Sequence, residues 1–567
     1  MKKRSNYLQN EIDPDEIFLD SSNLPQFDTH QFEGRIEKSI TRRTVFYTGA
    51  IFVLIALIFL YRLTALQVAE GSKYKGVSEN NRLHHSLIFS ERGVVTDRNG
   101  GLLAWNTMDA SQTDYSLRAY ATEPGLSSLL GYVKYPKKDK SGFYYNTEYS
   151  GADGIEKYYN SLMTGENGLK ITETNALGAP LSESMVRPAK RGENLTLTID
   201  KGLQAEMYKS IRDVSEQSNF HGGAGVLMDI KTGEVLSSVS YPEYDSNVMT
   251  DGSDVTAINN FLTNENNPFL DRVTSGQYTP GSIVKPLFAV AALQEGVIAP
   301  SKQIESTGSM KVPNPYKPGE FSIFKDWRVN GWTDMRHAIA VSSDIYFYQV
   351  GGGFGDQKGL GITNIDKYAS MFGLGSSIEN SYFSGKKGVI PTPAWKKVNF
   401  NGEDWRLGDT YNTSIGQYGF QVTPIQAVRA IATVANSGKL LTPSILKGEI
   451  GPTGSTVVNP TFSTLPISSA DYYQIAREGM RLAVTDGTLT VLNVPYVSIA
   501  AKSGTAELGT QKKYINSWVV GFFPYDHPRY AFAALLERGP AKATVGATAA
   551  MKNLFEWMSI YDGDYLK

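Results

Sequence analysis

One stretch of this chain is apolar on every face. Thr44 to Tyr61, T-V-F-Y-T-G-A-I-F-V-L-I-A-L-I-F-L-Y, carries no charge and is bracketed by Arg42-Arg43 and Arg62. As a helix its 18 residues span roughly 27 Å, close to the thickness of a bilayer's hydrocarbon. A core helix would keep a polar stripe. A cleaved signal would be shorter, nearer the start and followed by a small-residue cleavage pattern. The pattern therefore predicts a single transmembrane helix over 44–61. Arg35, Lys38, Arg42 and Arg43 favour an N-terminus on the inner side. Lys73 and Lys75 beyond the span weaken that bias, so orientation rests on function. Residues 1–34 are acid-rich, polar and aperiodic, and 1–43 reads as a disordered cytoplasmic tail.

Beyond the span the pattern changes period. Leu63 to Asn80 reads as a membrane-proximal helix. Strands and irregular segments follow to about 195, with a solvated basic turn at Lys134 to Ser141. From 196 onward, short apolar runs bounded by turns predict strands. Ala224–Ile230 and Val235–Ser240 form one hairpin pair; Ser517–Phe523 and Tyr530–Leu536 form another. Between them lie helical signals. Leu287 to Leu293 is a continuous apolar run after the turn Pro280-Gly281, and Ala338, Val341, Ile345 and Tyr348 recur at helical spacing. The prediction is a multidomain chain: a tail (1–43), one transmembrane helix (44–61), a mixed α+β pedestal (62–195), and an α/β domain with a central antiparallel sheet flanked by helices (196–567).

Length agrees, since 567 residues call for several domains. A net charge of −2 gives no reason to expect nucleic acid as a partner. The absence of cysteine excludes disulfides and thiolate metal sites.

The chemistry concentrates in three short motifs. Ser282 and Lys285 follow Pro280-Gly281 at the start of the apolar helix, so that Lys285 shares a helical face with Ser282. A serine hydroxyl needs a nearby base to act as a nucleophile. A lysine is a base only when burial or another cation destabilises its ammonium. Ser342-Ser343-Asp344 ends one helical stretch and begins another, and Ser342 is placed to relay a proton. Lys502-Ser503-Gly504-Thr505 opens a predicted strand. Lys502 would supply the second cation, and the small Ser503-Gly504 edge would let a peptide lie alongside. The N–H groups of Thr505 and Ser282 would form an oxyanion hole. Each motif alone has a bland explanation, a helix cap or an incidental lysine. Ser72–Lys75, Ser322–Lys325, Ser384–Lys387 and Ser444–Lys447 repeat the first spacing without its turn-to-apolar-helix setting, and Lys231-Thr232-Gly233 is a hairpin turn that mimics the third.

The set resembles the S-x-x-K, S-x-N and K-[ST]-G motifs of penicillin-binding proteins and serine β-lactamases. Arg92-Gly93-Val94-Val95-Thr96-Asp97-Arg98-Asn99-Gly100 with Leu103-Ala104, then Gly151, Gly154-Ile155-Glu156 and Tyr159, then Asn194 to Asp200, are similar to elements of the class B penicillin-binding proteins. The likeness runs from about residue 62 to the end. The aspartate of Ser-Ser-Asp, with Phe324-Lys325-Asp326-Trp327, Gly331-Trp332 and Ser414-Ile415-Gly416-Gln417-Tyr418-Gly419, resembles the elongation type, penicillin-binding protein 2.

What the resemblance implies is a peptidoglycan D,D-transpeptidase with no metal and no organic cofactor. Its partners would be stem peptides on lipid-linked or nascent glycan, β-lactams, and a SEDS-family polytopic glycosyltransferase of the RodA type. It would sit in the cytoplasmic membrane as a single-pass protein with its catalytic domain outside. Some members of that type hold a metal near the second motif through acids, a histidine and a cysteine. Here Asp326, Asp334 and His337 stand without a cysteine and are expected to be structural. A D,D-carboxypeptidase or β-lactamase-like hydrolase, a β-lactam sensor and a catalytically inert scaffold are the alternatives. Rapid turnover of penicillin would mark the hydrolase. A sensor calls for several spans and a signalling domain.

Overall fold

A computed structural model describes residues 41–109, 112–175, 179–314, 317–451, 454–457, 460–509 and 511–567. The expected disordered tail, up to residue 40, lies outside the described residues. The chain divides into two compact units, Met1–His84 with Thr172–Glu183, and His85–Ile171 with Ser184–Lys567.

The first unit carries the apolar run as the helix Arg42–Thr64. Thr41 caps it, its hydroxyl accepting the Thr44 N–H at 3.3 Å, and none of its side chains is buried. Helical structure continues as a π-helical turn, Ala65–Ala69, and then as Gly71–Arg82. The expected membrane-proximal helix therefore begins at Gly71 rather than Leu63, because the first helix runs on past the apolar run. From Arg42 to Ala69, 28 residues are long and apolar enough to cross a membrane.

The second unit is built on a five-stranded antiparallel sheet. Its order is Val235–Tyr241, Gly222–Asp229, Tyr530–Pro540, Tyr514–Phe523, Ala500–Leu508. Side chains alternate across it. Val519, Phe523, Phe532 and Ala534 pack with Leu203, Met207, Ile211, Leu554 and Phe555 of the helices Lys201–Gln217 and Ala547–Tyr561. Val520, Phe522, Ala531 and Ala533 belong to the opposite core, with Phe288, Val428, Ile431 and Met480 of the helices Lys285–Gln294, Pro424–Ala435 and Ala470–Asp486. Both hairpin pairs read from the sequence are present. Lys231-Thr232-Gly233 is the turn expected: Gly233 has φ of +79° and its N–H donates to the Asp229 carbonyl at 2.9 Å.

A second sheet has the order Gly454–Val457, Leu446–Gly451, Asn194–Leu197, Val95–Thr96, Leu102–Asp109, Gln112–Tyr120. The expected pedestal boundary at 195/196 falls inside its strand Asn194–Leu197, which pairs in parallel with Val95–Thr96 and antiparallel with Leu446–Gly451. Beside it lies a buried triad. Arg92 Nε is 2.6 Å from one Glu156 carboxylate oxygen and Arg118 Nε is 2.7 Å from the other. Burial opposes the Glu156 charge, but the Arg118 and Arg92 guanidiniums outweigh it and hold its pKa below the usual carboxylate value. The triad fastens the Arg92-Gly93 segment to the Gly154-Ile155-Glu156 segment, which explains why both stand in one chain.

Candidate active site

Ser282 sits in a single 3-10 turn, Gly281–Val284, that feeds directly into the helix Lys285–Gln294. Three glycines fit this turn to its neighbours. Gly281 has φ of +57°, and its N–H donates to the Gly416 carbonyl at 2.9 Å. A Cβ on Gly416 would lie 2.2 Å from the Gly281 carbonyl oxygen; one on Gly504 would lie 2.8 Å from that of Pro280. The edge strand Ala500–Leu508 therefore meets the Ser282 turn at backbone contact. Being an edge strand, it keeps one side of its backbone available for another extended chain.

Lys285 is fully buried and points at the second motif. Its Nζ donates to Asp344 Oδ1 at 2.6 Å and to the Ser342 carbonyl at 2.9 Å, and lies 3.4 Å from Ser342 Oγ. Ser342 occupies the left-handed region with φ of +58°, between the helices Met335–Ala340 and Asp344–Gly352. A non-glycine residue is uncommon there, and the helical stripe through Val341 is broken at that point. Lys502, also fully buried, donates from Nζ to Ser342 Oγ at 2.8 Å and to the Ser503 carbonyl at 2.8 Å. One hydroxyl thus stands between two lysine amino groups from segments far apart in the chain.

The electrostatics differ from the sequence reading in one respect. There, Lys502 was to keep Lys285 neutral. In the structure Lys285 has a carboxylate partner in Asp344, and Lys502 itself feels the burial and the neighbouring charge. Burial first, and then the Lys285 charge, push Lys502 well below the ordinary lysine value, against the pull of Asp344.

Ser282, Ser342, Asp344, Ser503 and Thr505 line one cleft of about 510 Å³, with Trp327, Arg328, Gly487 and Thr488. Four of these had no role in the sequence reading. Thr488 lies 3.2 Å from Ser503, hydroxyl to hydroxyl, and nothing in its local sequence marks it. Trp327 stood in a segment quoted for its likeness alone.

Asp326, Asp334 and His337 each have partners in the fold. Asp326 accepts from Ser306 Oγ and Ser343 Oγ, both at 2.8 Å, and from the N–H groups of Asp344 and Ile345 at 3.1 and 3.3 Å. It caps the helix whose first residue is Asp344. Asp334 caps Met335–Ala340 through the His337 N–H at 2.9 Å, and its Oδ1 is 2.8 Å from His337 Nδ1. Among the described residues, no group of three or more His, Cys, Asp or Glu converges as a metal site.

Comparison with known proteins assigns the chain a family. Residues 223–556 match the family described as penicillin binding protein transpeptidase domain, and residues 110–197 match the penicillin-binding protein dimerisation domain. The chain is 30% identical over 470 residues to the peptidoglycan D,D-transpeptidase MrdA of Haemophilus influenzae, covering 77% of this chain and 69% of that one. Among solved structures, penicillin-binding protein 2 of Helicobacter pylori, solved in complex with MreC, aligns with a TM-score of 0.68 at 25% identity, over 85% of this chain and 99% of that chain. A chain from a structure titled "Structural coordination of polymerization and crosslinking by a peptidoglycan synthase complex" aligns with a TM-score of 0.70 at 25% identity, over 90% and 97%.

Proposed function

This chain belongs to the penicillin-binding protein transpeptidase family, and from that premise we propose that Ser282 is the acylated residue of a peptidoglycan D,D-transpeptidase. The observation that carries the proposal is the position of Ser342 Oγ, 2.8 Å from Lys502 Nζ and 3.4 Å from Lys285 Nζ, in the cleft that Ser282 lines.

Ser282 Oγ attacks the carbonyl carbon of the penultimate D-Ala of a stem peptide. Its proton must go to an amine, and Lys285, three residues along the same helical turn, is that amine. Lys285 first has to lose a proton of its own. The Lys285–Ser342–Lys502 chain provides a route, because Lys502 is the lysine whose ammonium is destabilised. A proton passed through the Ser342 hydroxyl leaves Lys285 neutral beside Ser282. The substrate's terminal carboxylate, held by Lys502 and Thr505, favours the transfer by stabilising the new ammonium. The N–H groups of Ser282 and Thr505 hold the oxyanion. When the C–N bond breaks, the proton returns through Ser342 to the nitrogen of the departing D-Ala. The amine of a second stem peptide then attacks the ester carbonyl; its proton passes by way of Lys285 to Ser282 Oγ as the C–O bond breaks, and the amide cross-link forms. The Ser503-Gly504 edge receives the donor peptide as an added strand.

The same reading extends to placement. The 44–61 run anchors the protein in the cytoplasmic membrane, with residues 1–43 inside and the pedestal (62–195) and catalytic domain (196–567) outside. A SEDS-family polytopic glycosyltransferase of the RodA type is the proposed partner, since it makes the strands that this enzyme would link.

The test is adduct mapping by mass spectrometry after benzylpenicillin. The label falls on Ser282, and Ser282→Ala abolishes it. Lys285→Ala slows acylation by about 10²–10⁴-fold with the circular-dichroism spectrum retained. A label on Ser72, Ser322, Ser384 or Ser444, or a loss under tenfold in Lys285→Ala, sinks the assignment.

A further inference from the structure

One rim of the cleft has no part in the acyl transfer. Trp327 and Arg328 line it alongside Ser282, yet neither is hydrogen-bonded to Lys285, Ser342 Oγ or Lys502. Building on the acyl-transfer reading above, we infer that Arg328, stacked on Trp327, is a subsite for an internal carboxylate of the stem peptide. It is separate from the terminal carboxylate assigned to Lys502 and Thr505.

Charge is the first argument. The ionisable side chains lining the cleft are Arg328 and Asp344. Asp344 is committed to Lys285 at 2.6 Å. Among the described residues no carboxylate forms an ion pair with Arg328. The cleft therefore presents one uncompensated guanidinium to whatever enters it. Its natural complement is an anion.

Preorganisation is the second. The Arg328 guanidinium carbon lies 4.5 Å from the Trp327 ring centroid, a cation–π stack. Its Nε donates to Asn330 Oδ1 at 2.9 Å, and Asn330 Nδ2 donates back to the Arg328 carbonyl at 3.4 Å. Those contacts occupy Nε and leave the two terminal nitrogens, the fork that grips a carboxylate in bidentate fashion. Trp327 is itself pinned. Its indole N–H donates to the Val341 carbonyl at 3.0 Å, and its backbone N–H to Asp326 Oδ1 at 2.9 Å. Val341 immediately precedes Ser342, and Asp326 caps the helix that begins at Asp344. The platform is thus fixed in register with the reacting groups, which a solvated surface arginine would not need.

Exposure is the third. Trp327 remains 55% exposed although both of its N–H groups are anchored. An indole held flat beside a cation offers an apolar shelf for the aliphatic carbons around a peptide carboxylate. A stem peptide fits this chemistry because it runs through a side-chain-linked acidic residue and so carries free carboxylate along its length.

The test uses the full-length protein in detergent. Two synthetic stem pentapeptides ending in D-Ala-D-Ala are compared, one with its internal carboxylates free and one with them amidated, with D-Ala release as the readout. Arg328→Gln raises KM for the free-acid peptide roughly tenfold, as expected for loss of one charge-assisted bidentate contact, and moves kcat far less. Its KM for the amidated peptide stays within about twofold of wild type. Arg328→Lys recovers part of the loss. Equal effects on the two peptides, or none on either, overturn the subsite. An equal loss in benzylpenicillin acylation also overturns it, by assigning Arg328 to the terminal carboxylate. Failure of the wild-type protein to take benzylpenicillin on Ser282 would instead count against the acyl-transfer reading.

Discussion

Lys285 Nζ and Asp344 Oδ1 are 2.6 Å apart, a buried lysine paired with a carboxylate from the first turn of another helix. The family's usual asparagine at that position would give Lys285 a hydrogen bond but no counter-charge. The aspartate is therefore an electrostatic choice: it gives the buried Lys285 a counter-charge and works against the lowering of the Lys502 pKa.

Asp344→Asn tests that relationship directly. The amide is isosteric, so the cleft keeps its shape, and the change removes one negative charge. Without the anion, Lys502 loses the charge that pulls its pKa up, so its pKa falls further, and the limb of the acylation-rate-against-pH curve that follows Lys502 moves to lower pH. A chromogenic β-lactam followed by stopped flow gives the curve. An unmoved limb would mean that Lys502 is not a group whose ionisation governs acylation.

Lys502 yields a stability prediction of opposite character. Its folded-state pKa lies well below the unfolded one. In the window between the two, the unfolded chain binds the extra proton, so stability rises with pH until the unfolded lysine also titrates near pH 10.4. At neutral pH, burying this side chain costs stability. Lys502→Met keeps the volume, removes the charge, and is expected to stabilise the fold by about 1–4 kcal/mol at pH 7 while abolishing transpeptidation. The gain shrinks as pH approaches 10. Urea titrations of both proteins at several pH values decide the matter, and a variant less stable than wild type at pH 7 would show that Lys502 is well solvated or well paired.

The parts of this site that were legible in the sequence are the local ones. A Pro-Gly turn before an apolar run located the Ser282 helix, and the apolar runs at Ser517–Phe523 and Tyr530–Leu536 located the strands beside Lys502. Ser342 was read as the end of a helix; the helix stops at Ala340, and Ser342 lies just beyond its C-cap Val341. What was not legible depends on contacts between distant segments. Nothing near Asp326 says that its carboxylate will cap a helix beginning 18 residues later. Nor does the Gly416 neighbourhood reveal that a side chain there would strike Gly281. The Lys285–Asp344 pair escaped because three charges within one site can pair in more than one way, and only geometry chooses. Trp327 and Arg328 escaped because an exposed aromatic beside a cation looks like surface until a cleft is seen next to it. The strand Asn194–Leu197 shows the same limit at the scale of domains. Its likeness to a class B element was recognisable, but its partners lie about 100 and 250 residues away.

The membrane helix and the pedestal support the last prediction. Arg42–Thr64 buries none of its side chains within the protein, so its apolar surface must be covered from outside. Gly49 and Ala56, two turns apart, fall on one face of this helix, and a Cβ on Gly49 would meet nothing within 4 Å. That face can approach another helix closely, as helix pairs in bilayers do. Among the described residues of the pedestal, buried Arg92, Glu156 and Arg118 form the triad and buried Asp97 accepts from the Asn99 and Gly101 N–H groups, a structural use of charge that suits a spacer and docking surface. Full-length protein is therefore expected to co-purify with a polytopic glycosyltransferase and to support cell-wall synthesis in a depletion strain. A version from residue 63 onward should still take β-lactam on Ser282 yet fail to complement. Exchanging residues 44–61 for an unrelated membrane helix separates anchoring from recognition. If that exchange, and separately deletion of the pedestal, left co-purification and complementation unchanged, the helix and pedestal would be tethers only, and the enzyme would cross-link without a dedicated partner.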